Sequence, residues 1–190
     1  LVESLVVVSL AALVLLVTVP YLSEIRGAAE LQVIGSRIAA EMYRARAYAT
    51  MRGRAVSLVF ERRGERSWRC FIAEDGDGDG VLRRDLDSGR DRILGEVLHL
   101  EGEVAGLGIL PGTRIPNPSG RGYLSGNMMD PVRAGRGDII TFTPAATATP
   151  SSVYLTDHRA RMRVIRVYGG TARVYSLEWR KGWRLWRRVG

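Results

Sequence analysis

Apolar residues along this chain form first a continuous run and then two different periods. From Leu1 to Leu22, LVESLVVVSLAALVLLVTVPYL, nearly every position is apolar. About 20 such residues span a bilayer core as a helix, and this stretch holds one charge, Glu3. Ser4, Ser9 and Thr18 fit such a helix because their hydroxyls can bond back to its carbonyls. A cleaved secretory signal would need a basic start, a shorter apolar stretch and a small-residue cleavage site, and none is visible. The pattern then turns amphipathic. Leu31, Ile34, Ile38, Met42, Ala45 and Ala49 follow steps of three and four, which place them on one helical face. Glu30, Arg37, Glu41 and Arg44 fall elsewhere, with Arg37 and Glu41 one turn apart. Gly53 offers a stop. The spacing predicts one helix from Val2 to about Arg52, bent near Pro20, roughly 75 Å long at about 1.5 Å per residue.

After Gly53 the period becomes two. Val56, Leu58 and Phe60, then Trp68, Cys70 and Ile72, flank a turn at ERRGER and predict a hairpin. Further strands are expected at Ile93–Leu100, Asp138–Phe142, Val153–Thr156, Arg161–Tyr168 and Thr171–Trp179, with a tight turn at Gly169-Gly170. Residues 102–137 are rich in Gly, Pro, Asn and Ser and are expected to be mostly irregular. The fold class is α+β: a long N-terminal helix packed on an antiparallel, β-sandwich-like domain. Its parts are a transmembrane half (1–22), an amphipathic half (23–53) and a β-rich domain (54–190).

Composition changes this picture in two places. The single cysteine, Cys70, cannot form an intramolecular disulfide and reads as a small core residue. The net charge of +8 is uneven: residues 158–190 carry +9 and residues 1–157 carry −1. Such a basic end suits either a solvated face or an acidic partner.

The residues also resemble a family. An apolar start with a glutamate near its beginning, Glu3, and a proline near its end, Pro20, is similar to type IV pilins and pseudopilins. WRCFIAEDGDGDGVLRRDLDSGRDRIL, GDIITFTPAATATPSSVYLTD and MRVIRVYGGTARVYSLEW resemble the GspH/FimT type of minor pseudopilin. In that type the last turn often reads Thr-Gly-Arg, and here Ala172 stands where glycine is common. The resemblance implies a sequence beginning two residues past the usual cleavage point, a periplasmic domain, and a helix held in the bacterial inner membrane. It implies a structural subunit of a type II secretion pseudopilus or a type IV pilus, with no enzymatic activity. Its expected partners are other major and minor pseudopilins or pilins, inner-membrane lipid, and prepilin peptidase during maturation. Glu3 would meet the N-terminal amine of a neighbouring subunit, and Pro20 would shape the helix for assembly. A carboxylate and an amine, each costly alone in an apolar bundle, relieve one another when paired.

Two other stretches carry candidate chemistry. In EDGDGDGVLRRDLD, Asp75, Asp77, Asp79 and Gly80 have the spacing of the start of an EF-hand loop, with Asp85 further on. The twelfth position is Leu86 rather than a bidentate Glu, so the alternatives are a non-EF calcium turn and a hydrated connection. No other cofactor is expected. In EWRKGWRLWRRVG, tryptophans alternate with Arg180, Lys181, Arg184, Arg187 and Arg188. Stacking surfaces beside cations suit single-stranded nucleic acid, and some FimT-like proteins are thought to capture DNA through such a segment. Trp183 stands where the first arginine is expected. The alternative is a last strand whose tryptophans pack while its arginines face water or a partner subunit. His99 and His158 lie in no recognisable nucleophile or metal motif.

Overall fold

The computed structural model describes residues 2–135 and 137–189; within the N-terminal helix, the side chains of Leu5, Ala11, Val14, Leu15 and residues 17–23 lie outside that description. Helix α1 runs without interruption from Val2 to Arg52, as the periodicity predicts. Its backbone passes through Pro20, whose side chain is among those not described. Among the described residues, no helix is long and apolar enough to cross a membrane. The side chains of Leu5, Ala11, Val14, Leu15 and residues 17–22 of the expected transmembrane half lie outside those described.

Two antiparallel sheets follow. The first is built from β1 (Val56–Arg62), β2 (Trp68–Glu74), β3 (Arg92–His99) and β6 (Ile139–Phe142), in the order β3-β2-β1-β6. The second has the order β10-β9-β8-β7-β4, from β4 (Gly106–Leu107), β7 (Ser151–Thr156), β8 (Arg161–Tyr168), β9 (Arg173–Arg180) and β10 (Arg187–Val189). A three-residue strand, β5 (Val132–Ala134), also pairs with β7. A short helix, α2 (Arg83–Ser88), interrupts the acidic stretch.

Alternation along the strands sorts their side chains into three apolar layers. In the central layer, Leu31, Ile34, Ile38, Met42, Ala45 and Ala49 of α1 meet Leu58, Phe60, Cys70 and Ile72 of the first sheet and Val153, Leu155, Ile165 and Val167 of the second. Each Leu, Ile or Met so buried contributes about 1.5–3 kcal/mol relative to exposure. Cys70 is a core residue, as expected, and burial pushes its thiol pKa up to about 12. On the outer face of the first sheet, Val59, Phe71 and Ala73 pack under Val81 and Leu86 of the acidic stretch. On the outer face of the second, Tyr154, Met162, Val164 and Trp179 pack under Ile109, Leu110, Ile115, Trp183 and Trp186.

Several expected boundaries move. The last hairpin turns over residues 169–172 rather than at Gly169-Gly170 alone, so β9 begins at Arg173 instead of Thr171. Ala172 is buried and adopts φ +48°, the left-handed region where glycine costs least. Asp138 also has positive φ, which delays β6 until Ile139. The irregular region 102–137 contains β4 and β5, both defined by pairing with β7.

Candidate assembly surface and the loops around the domain

Every described side chain of α1 from Val2 to Leu16 is exposed. Val2 retains 78% of its accessible surface, Leu10 58%, Leu13 63% and Leu16 74%. Val2, Val6, Ser9 and Leu13 recur in steps of four, three and four, the spacing of a helix–helix seam. With Leu10 they border a shallow apolar hollow. Glu3 is exposed in the first turn of this helix.

Charged contacts mark the change from uncovered to covered helix. Glu24 meets Arg161 at 2.5 Å, and Arg26 pairs with both Glu30 and Glu103. Glu30 accepts the backbone N–H groups of Val104 and Ala105 at 2.8 and 2.9 Å. Burial works to raise the Glu30 pKa, but those two N–H groups and Arg26 outweigh it and hold the carboxyl below its ordinary range. The contact needs a bare backbone: a Cβ on Gly102 would stand 2.4 Å from the Ala105 carbonyl and 2.7 Å from Glu30 Oε2. Higher up, Tyr43 donates to the Val174 carbonyl at 3.1 Å, tying the helix to β9.

The acidic stretch covers the outer face of the first sheet. Asp75 is buried and accepts the N–H groups of Gly78 and Gly80 at 2.7 and 3.0 Å. Asp91, which sequence reading missed, is also buried and accepts from Gly76 and Leu82 at 3.1 and 2.9 Å. The four expected ligands do not form one set. Carboxylate oxygens gather as Asp75, Asp77 and Asp91, and separately as Asp77, Asp79 and Asp85. Asp77 and Asp79 share a hydrogen bond, which holds Asp79 above its ordinary pKa and Asp77 below it. Asp85 is buried against Arg84 and Arg90, each at 3.2 Å, and Asp79 meets Arg84 at 2.8 Å. Guanidinium groups thus already neutralise much of the second set. Asp91 could have been found only from its distant pairing, because it lies beyond the motif's spacing.

The C-terminal segment contains both of the features considered for it. β10 pairs with β9, so the tail is strand-bound. Trp179 is buried and donates to the Trp183 carbonyl at 2.8 Å; Trp186 donates to the Pro116 carbonyl at 2.7 Å. Arg187 lies over the Trp183 ring, 4.2 Å from its centre. Lys181, Arg184, Arg187 and Arg188 are exposed, whereas Arg180 is half-buried beside Glu178 at 3.2 Å. The tryptophans hold the tail to the sheet, and the arginines form its outer edge. Of the histidines, His99 is exposed on the edge strand β3, and the His158 N–H donates to Thr156 Oγ1 in the β7–β8 turn.

Comparison with protein-family models, curated proteins and solved structures finds no match to this chain.

Proposed function

We propose that the protein is a structural subunit of a pilus-like filament, a minor pseudopilin of the GspH/FimT type. Residues 1–22 would enter the bacterial inner membrane and then the filament's helical bundle, with residues 54–190 in the periplasm. The observation that carries this reading is the division of α1. One continuous 51-residue helix is the spine of the domain core over its second half, while the described apolar side chains from Val2 to Leu16 are exposed. A contiguous uncovered apolar surface marks a membrane or protein interface. A helix apolar all round can be covered only by lipid or by several neighbouring helices. Glu3, in the first turn of the helix, is the group that would fix register by meeting a neighbour's N-terminal amine. The family resemblance supplies the remaining parts: prepilin peptidase as the maturing enzyme, pseudopilins or pilins as neighbours, and no reaction of its own.

Flotation of the full chain with lipid vesicles tests the first half of α1: the chain is expected to rise with the vesicles, and a chain left in the dense fraction refutes insertion. Glu3→Gln and Glu3→Ala are then expected to float normally but enter filaments poorly in cells carrying the assembly machine. Normal incorporation of both would remove the role of Glu3. The second reading, capture of DNA, is favoured by the exposed row of Arg184, Arg187 and Arg188. It is weakened by tryptophans already engaged in packing, which leaves phosphate attraction without base stacking. A gel shift abolished by replacing those three arginines with alanine, and falling steeply with salt, would establish it.

A further inference from the structure

The inner face of the second sheet holds an arrangement that the assembly reading does not use. Where α1 crosses β8 and β9, a cleft of about 240 Å³ is lined by Leu31 and Gln32 from the helix and by Arg161, Arg163, Glu178 and Arg180 from the strands. The ladder places Arg161 directly opposite Arg180, and Arg163 opposite Glu178. Like charges directly opposite one another on a sheet repel. One carboxylate cannot answer three guanidinium groups, and Glu178 is drawn to Arg180, at 3.2 Å. Arg161 turns to Glu24 on the helix. Arg163 makes no hydrogen bond and no ion pair among the described residues. Its side chain lies across Gly35 of α1, where a Cβ would stand 2.8 Å from Arg163 Cδ, so the helix carries a notch that admits it. Burial lowers the Arg163 pKa, the effect of a cation taken from water with too little negative charge in return.

We propose that this cleft binds a phosphate group, carried by an anionic phospholipid headgroup or by free phosphate. Guanidinium forks approaching from three positions match a group with several charged oxygens. The helical wall, from Ala28 to Gln32, stands about 9–15 Å along α1 from Leu22 at 1.5 Å per residue, above a polar headgroup layer of about 5–8 Å, so a headgroup would be met from the lower end of the cleft. Arg161 reaches lower, to Glu24. The lipid source rests on the proposal that residues 1–22 enter a membrane; the phosphate chemistry does not.

The full chain in neutral detergent micelles is titrated with inorganic phosphate and, separately, with dihexanoyl phosphatidylglycerol, against chloride at matched ionic strength. Phosphorus NMR line width and melting temperature are read. At least one phosphate probe is expected to bind saturably, weakened about ten-fold or more by Arg163→Gln and by Arg180→Gln. Arg92→Gln, which removes an exposed charge from the first sheet, is expected to leave binding unchanged. Binding of phosphatidylglycerol alone assigns the site to a headgroup; equal binding of inorganic phosphate assigns it to the free ion. Arg180 is 43% exposed, so its replacement keeps the assay valid even if Arg163→Gln fails to fold. No saturable binding of either probe beyond chloride, or binding that survives the Arg180→Gln change, overturns the proposal. These readings are made in detergent, so they can fail or succeed independently of the vesicle flotation that tests membrane insertion.

Discussion

Between Val2 and Leu16 every described side chain of α1 is exposed, whereas Leu31, Ile38, Met42, Ala45 and Ala49 of the same helix are almost wholly buried. Both stretches are apolar, so apolarity does not explain the difference. The second half has a polar back: Arg37, Glu41 and Arg44 leave one stripe for the sheets to cover. The first half has no such back, and one side of a small β domain cannot enclose a cylinder. A helix with a polar face can be satisfied within its own chain, while a helix without one must find cover outside it.

Mutations that treat the two halves alike should therefore separate them. The largest effect is expected in the second half. Ile38→Ala or Met42→Ala removes atoms from the central layer and should cost about 2–5 kcal/mol, read as a lower urea midpoint by tryptophan fluorescence. Leu10→Ala or Leu13→Ala should leave that midpoint unchanged and weaken vesicle or filament association instead. If both pairs moved the midpoint equally, the division of α1 would be wrong.

The junction should respond less strongly. Glu30→Ala leaves the Val104 and Ala105 N–H groups without an acceptor and should cost about 1–3 kcal/mol. The same carboxyl makes a pH prediction. Its pKa is lower folded than unfolded, so its contribution is present above the ordinary value of 4.5 and is lost as pH falls through the lower folded value. Stability measured downward from pH 5 should fall less steeply in Glu30→Gln than in the native chain. An unchanged slope would show that Glu30 does not hold the Gly102–Ala105 corner.

Cys70 reports on the covered half without perturbing it. With its thiol pushed up to about 12 and buried, it should resist a disulfide reagent at pH 8 until the domain opens. Ile38→Ala should speed that reaction, and Leu10→Ala should not. The smallest effect is expected from calcium. Backbone N–H groups and Arg84 and Arg90 already answer most of the acidic stretch, so millimolar calcium should leave the melting temperature unchanged. A rise would instead make the stretch a cation site.

Regular elements were readable wherever their signal was local. The span of α1, the β1–β2 hairpin and the limits of β8 follow from period and turn residues alone. β4 and β5 did not, because two- and three-residue strands have no period and exist only through β7, and β10 was one of two readings of the tail, decided by its pairing with β9. α2 has no side-chain N-cap and rests on the outer apolar layer of the first sheet through Leu86. Candidate groups divide in the same way. Glu3 stands out from its neighbours in the sequence, and so does the run of aspartates. Asp91 does not, since it joins Asp75 across 16 residues of chain.

Spacing along the chain was enough to fix a long helix with two unlike halves, a change to strands after Gly53, and a basic C-terminal end. Those are properties of neighbours within a turn or two, where periodicity records which face must leave water. Folding in three dimensions decided which sheet each strand joined, that the tryptophans of the tail would be spent on packing, and that Arg163 would cross Gly35 in a cleft with too little negative charge. Such outcomes depend on groups distant in the chain, as with Trp186 and Pro116 or Arg163 and Gly35, and no local pattern specifies the partner that a charge or a strand edge will meet.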